Sequence, residues 1–113
     1  MNTNLSEYIR LCSLADIAED ESKGFQCDER KVLAVKSQGK LYLYQNRCPH
    51  LGISLEWVAD QFLDSSGSMI QCANHGALFV IKTGKCVSGP CNGQALIPIH
   101  YNIDAGDIFI SCS

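Results

Sequence analysis

Cys48-Pro49-His50 and Cys72-Ala73-Asn74-His75 each set a thiol beside an imidazole, and 21 residues separate the two segments. Together they offer four ligands, two sulfur and two nitrogen. That donor set suits either a mixed-ligand iron–sulfur cluster or a tetrahedral zinc site. Zinc knuckles more often use Cys pairs two to four residues apart, and Cys-x-His is a less usual half-site. A glycine closes each segment, Gly52 and Gly76, where the chain can turn sharply and bring its backbone close to a bound group. His100, the third histidine, is far from both segments and reads as a structural or surface residue. Trp57 reads as a core residue.

Short strands must hold these segments in place. Lys31–Lys36 and Lys40–Gln45 read as a hairpin around Ser37-Gln38-Gly39, and its second strand runs into the first ligand segment. Asp64-Ser65-Ser66-Gly67 is a turn leading to a strand, Met69–Gln71, that delivers the second. Leu78–Ile81 and Lys85–Ser88 form another hairpin around Thr83-Gly84. Ala95–Ile103 and Asp107–Cys112 pair around Asp104-Ala105-Gly106. Before the first hairpin, Leu14-Ala15-Asp16-Ile17 is a one-turn helix or turn, followed by an acidic stretch and a break at Gly24. Strands at this spacing indicate an all-β domain, a sandwich or barrel.

The chain has 113 residues, 46% of them apolar, enough for one domain with a core that needs no disulfide staples. Met1–Arg10 shows no basic region followed by an apolar run, and no stretch reaches the length of a membrane span, so a cytoplasmic protein without membrane contact is expected. Seven cysteines in that setting read as reduced thiols, two of them ligands. Cys12, Cys27, Cys86, Cys91 and Cys112 read as small core-compatible apolar residues. Cys86 and Cys91, flanking Val87-Ser88-Gly89-Pro90, could nevertheless lie close together. Asp16, Glu19, Asp20 and Glu21 read as a solvated face that, with a net charge of −3, biases docking toward a basic partner. No basic patch supports nucleic-acid binding.

Cys48-Pro49-His50-Leu51-Gly52 and Cys72-Ala73-Asn74-His75-Gly76 resemble the two cluster-binding loops of Rieske [2Fe–2S] proteins. Lys82-Thr83-Gly84 and Gly89-Pro90 follow at the family's places, and the resemblance runs from about Tyr8 to the C-terminus. It implies one [2Fe–2S] cluster per chain, with Cys48 and Cys72 on one iron and His50 and His75 on the other. It implies a single domain over residues 1–113 with the Rieske-like fold. An antiparallel β-sandwich base is built from both chain ends and carries an inserted cluster-binding subdomain, about 46–94. Pro90 would cap the cluster.

Replacing two thiolates by neutral imidazoles turns a dianionic oxidised centre into a neutral one, so an electron is added more easily. Rieske centres accordingly span about −150 to +300 mV, against about −400 mV for plant-type ferredoxins. High-potential members carry two further cysteines, joined in a disulfide between the ligand loops; Ile53 and Asn74 stand there in this chain. They also carry Ser and Tyr hydroxyls that hydrogen-bond the cluster, where this chain has Ala77 and Phe79. A low-potential, ferredoxin-like centre is expected.

The resemblance points to an electron carrier rather than an enzyme in its own right. It would pass electrons from a reductase, expected to be a flavoprotein, to a terminal oxidoreductase such as an oxygenase. A permanent small subunit of a larger oxidoreductase, like those of nitrite reductases, is the alternative, and a structural zinc module the third reading. A self-contained oxygenase is excluded, because its mononuclear iron needs two further histidines and a carboxylate and only one histidine remains.

Overall fold

The computed structural model describes residues 8–27, 30–49, 55, 60–73, 76–89, 91 and 93–111. They form nine strands and a one-turn 3-10 helix: β1 (Tyr8–Ser13), the helix (Leu14–Asp16), β2 (Glu21–Cys27), β3 (Arg30–Ser37), β4 (Lys40–Gln45), β5 (Met69–Gln71), β6 (Leu78–Val80), β7 (Cys86–Ser88), β8 (Tyr101–Asp104) and β9 (Asp107–Ser111). They assemble into three antiparallel three-stranded sheets, ordered β1-β9-β8, β2-β3-β4 and β5-β6-β7. The all-β expectation and the three predicted hairpin turns hold.

The run Val32-Leu33-Ala34-Val35 explains how the sheets stack. A strand buried on one face alternates apolar and polar residues, whereas a strand covered on both faces reads as a continuous apolar run. Val32 and Ala34 belong to a core shared with Leu41, Leu43, Ile99, Ile108 and Ile110. Leu33 and Val35 face the other way, into a core with Tyr44, Cys48, Phe62, Ile70, Cys72 and Phe79. The β2-β3-β4 sheet is therefore a shared wall. One face packs on the sheet in which β1 pairs with β9, and the other packs on the unit that contains Cys48 and Cys72.

Two expectations are corrected. Gly24 does not break the chain: it lies within β2, opposite Leu33. Its amide donates to Asp60 Oδ1 at 2.7 Å, so a side chain from outside the sheet fills the partner position. The expected long strand Ala95–Ile103 is divided, since only Tyr101–Asp104 pairs with β9. Ahead of it Ala95 bridges Lys85, and Pro98 bridges Tyr44. Gln45 N donates to Ile97 O (2.8 Å) and Ile99 N to Leu43 O (3.0 Å). Pro98 thus sits at the position that needs no N–H, where a proline is tolerated.

The one-turn helix is held by a capping box: Ser13 Oγ accepts from Ala15 N, and Asp16 Oδ2 accepts from Ser13 N. Asp16, Glu19, Asp20 and Glu21 are exposed, as a solvated face requires. They also serve the backbone locally, Glu19 accepting from Gly39 N and Glu21 from Ala18 N.

Candidate metal centre

Cys48 and Cys72 are both buried, at 1% and 0% exposure, and lie in the same packed core. Cys48 follows the end of β4 and Cys72 directly follows β5, so each thiol sits at the mouth of a strand that the shared wall or the β5-β6-β7 sheet holds fixed. His50 and His75 lie outside the described residues, as do Gly52, Ile53, Trp57, Asn74, Pro90 and Cys112. Among the described residues no group of three or more His, Cys, Asp and Glu converges on a metal position. The structure therefore places both cysteines of the predicted ligand set in one core.

The second ligand loop is closed at its base by two backbone bonds. Cys72 N donates to Ala77 O at 2.9 Å, and Gly76 N donates to Cys72 O at 2.8 Å. Gly76 takes φ +68°, in the left-handed region where glycine is at ease. This is the sharp turn expected of it.

A link between the two loops was not foreseen. Asn46, two residues before Cys48, is buried, and its Oδ1 accepts from Leu55 N at 2.8 Å. The carbonyl of the same Leu55 accepts from Ala73 N, next to Cys72, at 2.7 Å. Leu55, itself fully buried, thus ties the end of the first ligand segment to the second. Asn46 N also donates to Lys31 O at 2.8 Å, which anchors the assembly to β3. The sequence signal was a lone Asn where a strand ends on a ligand motif. Buried polar side chains are retained where backbone groups need them.

The Lys82-Thr83-Gly84 turn has a comparable reason. Gly84 N donates to Val80 O at 2.7 Å, Leu96 N donates to Gly84 O at 2.8 Å, and Gly84 has φ +74°. A Cβ there would stand 2.7 Å from Tyr44 Cε1, so the turn admits only glycine. Tyr44 crosses from the shared wall to this turn and donates its hydroxyl to Ile81 O at 2.6 Å. Burial pushes its phenol up to about 12, with Tyr42 adding to the rise.

Ala77 and Phe79 are fully buried in the core that holds Cys48 and Cys72. Neither carries a hydroxyl to donate to a sulfide. His100 is exposed, in keeping with a surface role.

The expectation of seven reduced thiols is corrected. Cys86 and Cys91 are joined in a disulfide, with Cα atoms 6.0 Å apart. Residues at either end of a short turn fall within the 4.4–6.8 Å span that the bond requires, and absence of an export signal does not change that geometry. Cys12, Cys48 and Cys72 are buried and take part in no disulfide among the described residues. Burial raises the Cys12 thiol pKa, Asp16 adding to the rise, which leaves it a weak nucleophile in the core.

The Rieske [2Fe-2S] domain family matches residues 7–103. The ferredoxin component of an alkene monooxygenase system from Xanthobacter autotrophicus is 31% identical over 104 residues, covering 92% of this chain and 80% of that protein. The ferredoxin subunit of 3-phenylpropionate/cinnamic acid dioxygenase from Shigella flexneri is 31% identical over 104 residues, covering 90% of this chain and 91% of that one. The solved ferredoxin of carbazole 1,9a-dioxygenase from Nocardioides aromaticivorans superposes with a TM-score of 0.74 over 94% of this chain and 98% of its own, at 20% identity. That likeness establishes the fold. The family cofactor is one [2Fe–2S] cluster per chain, and the described residues fit its sulfur-ligated end: two buried thiols in one core, on loops joined through one backbone unit. With two linked loops that each carry one buried thiol and a family match over residues 7–103, the chain belongs to the Rieske [2Fe-2S] family.

Proposed function

We propose that the protein is a one-electron carrier in which Cys48 and Cys72 hold one iron and His50 and His75 the other. The observation that carries this reading is the shared burial of Cys48 and Cys72 on loops tied through Leu55. Two cysteines placed in one core are the donors that one iron of such a cluster takes. A bound [2Fe–2S] cluster supplies reversible uptake of a single electron. The protein contributes rigidity: Asn46, Leu55 and the closed turn from Cys72 to Ala77 fix the ligands in either oxidation state, so little rearrangement accompanies transfer.

Ala77 and Phe79 support a potential in the lower part of the Rieske range, since no hydroxyl stabilises the reduced centre from those positions. The pairing of β1 with β9 and the two cores on either side of the shared wall support one domain over residues 1–113 with an inserted unit at about 46–94. The relatives' names support an oxygenase as acceptor, and the donor in this reading is a flavoprotein reductase. A cytoplasmic setting fits these partners. Among the described residues no helix is long and apolar enough to cross a membrane.

Potentiometric titration of the purified protein tests the proposal, followed by its addition to a flavoprotein reductase and a Rieske oxygenase that are inactive together. A one-electron wave below zero and restored product formation are expected. A protein that takes up no electron, or a midpoint well above zero, contradicts it.

A further inference from the structure

The Cys86–Cys91 disulfide is chemistry that electron carriage through a cluster does not use. Both residues are fully buried and share one core with Cys48 and Cys72. The pair is held together without its bond as well: Cys86 N donates to Gln94 O at 2.9 Å, and Gln94 N donates to Cys91 O at 2.8 Å. The reduced form also has a place ready, since Ser88 O lies 3.3 Å from Cys86 Sγ, where a thiol would donate to it. A bond spanning five residues removes little chain entropy from the unfolded state, so it is a poor choice as a stability staple. A backbone that accommodates both states is what reversible thiol–disulfide chemistry needs.

The pair also leans on the ligand site. Between its members Gly89 takes φ +98° and packs so closely that a Cβ would stand 2.8 Å from Ala77 Cα. Ala77 O accepts from Cys72 N. Two contacts therefore connect the disulfide's own turn to a ligand cysteine.

We propose that Cys86 and Cys91 are a second redox centre, a disulfide–dithiol couple whose state is felt at the second ligand loop through Gly89 and Ala77. In reduction the S–S bond breaks as two electrons and two protons enter, giving two thiols. An external dithiol supplies them and leaves as its own disulfide. Because both sulfurs are buried, exchange passes through local opening and is slow. Releasing the bond lets Gly89 move off Ala77. Water then reaches the ligand loop, favouring the more highly charged reduced cluster and raising its midpoint. The coupling rests on the cluster reading; the thiol chemistry does not.

The test uses the intact protein equilibrated anaerobically in mixtures of reduced and oxidised dithiothreitol. Each sample is split between acid quench, denaturing alkylation and weighing, and measurement of cluster midpoint and bleaching by a ferrous chelator. With seven cysteines and two of them bonded, oxidised protein is expected to take five alkyl groups and reduced protein seven. Bleaching should be roughly tenfold faster in the reduced form, with a higher midpoint. The double variant Cys86→Ala, Cys91→Ala should bleach fast whatever the dithiothreitol ratio. Seven alkyl groups in air-oxidised protein would overturn the couple, and a five-to-seven change with unchanged midpoint and bleaching would overturn the coupling. Protein lacking iron still reports the five-to-seven change, which separates failure of the cluster reading from failure of the couple.

Discussion

Asn46→Ala removes the acceptor that joins the two ligand loops. In the native protein Leu55 N donates to Asn46 Oδ1 at 2.8 Å, and both residues are buried, Leu55 with no exposure. Without that oxygen the Leu55 N–H faces apolar surroundings. A buried donor left unpaired costs about 1–3 kcal/mol, and the space left by the amide adds to this. We expect a loss of about 2–3 kcal/mol. For a domain of this length that is a drop of roughly 8–13 °C in Tm. Because Leu55 O also holds Ala73, the same loss should appear as faster cluster release, by roughly tenfold or more. The assay is thermal unfolding followed by circular dichroism and visible bleaching, with exposed Asn102→Ala in β8 as control. If Asn46→Ala melts within about 2 °C of the native protein and keeps its cluster as long, the proposed link between the loops is wrong.

Tyr44→Phe leaves Ile81 O buried without its 2.6 Å donor and should cost about 1–2 kcal/mol in urea unfolding. The visible spectrum should not change. In the native protein the Tyr44 phenol titrates at about 12 instead of 10.0. A raised folded pKa gives stability that is complete below the unfolded value and lost as pH climbs through the folded one, so native stability should fall between about pH 10 and 12 and Tyr44→Phe should flatten that fall. His50→Cys and His75→Cys should lower the midpoint or lose the cluster, read by potentiometry and iron content. Cys12→Ser, remote in the other core, should leave both unchanged.

The fold was legible wherever a strand carried its own periodicity and turn. Lys40–Gln45 with Gln38-Gly39, and Met69–Gln71 after Asp64–Gly67, fell into place because turn chemistry and apolar content agree there. β1 and β2 were not identified, because their sequences, YIRLCS and ESKGFQC, mix charges and a glycine and become strands only through β9 and β3. Ala95–Ile103 looked like one strand because local pattern cannot show that a chain changes partners at Pro98. For the site, spacing and residue type marked Cys48, His50, Cys72 and His75. The supports at Asn46 and Leu55 escaped notice, since one is a lone polar residue and the other acts through its backbone. Cys86 and Cys91 were placed side by side, but their bond was masked by an argument about compartment that carries no geometry.

The most direct test of the account is pulsed EPR on the dithionite-reduced protein, looking for nitrogen coupled to the unpaired electron. Two imidazole nitrogens on a rhombic [2Fe–2S] signal, each lost in turn in His50→Cys and His75→Cys, are the predicted result. A signal without nitrogen coupling, or no signal from protein containing zinc, would contradict it.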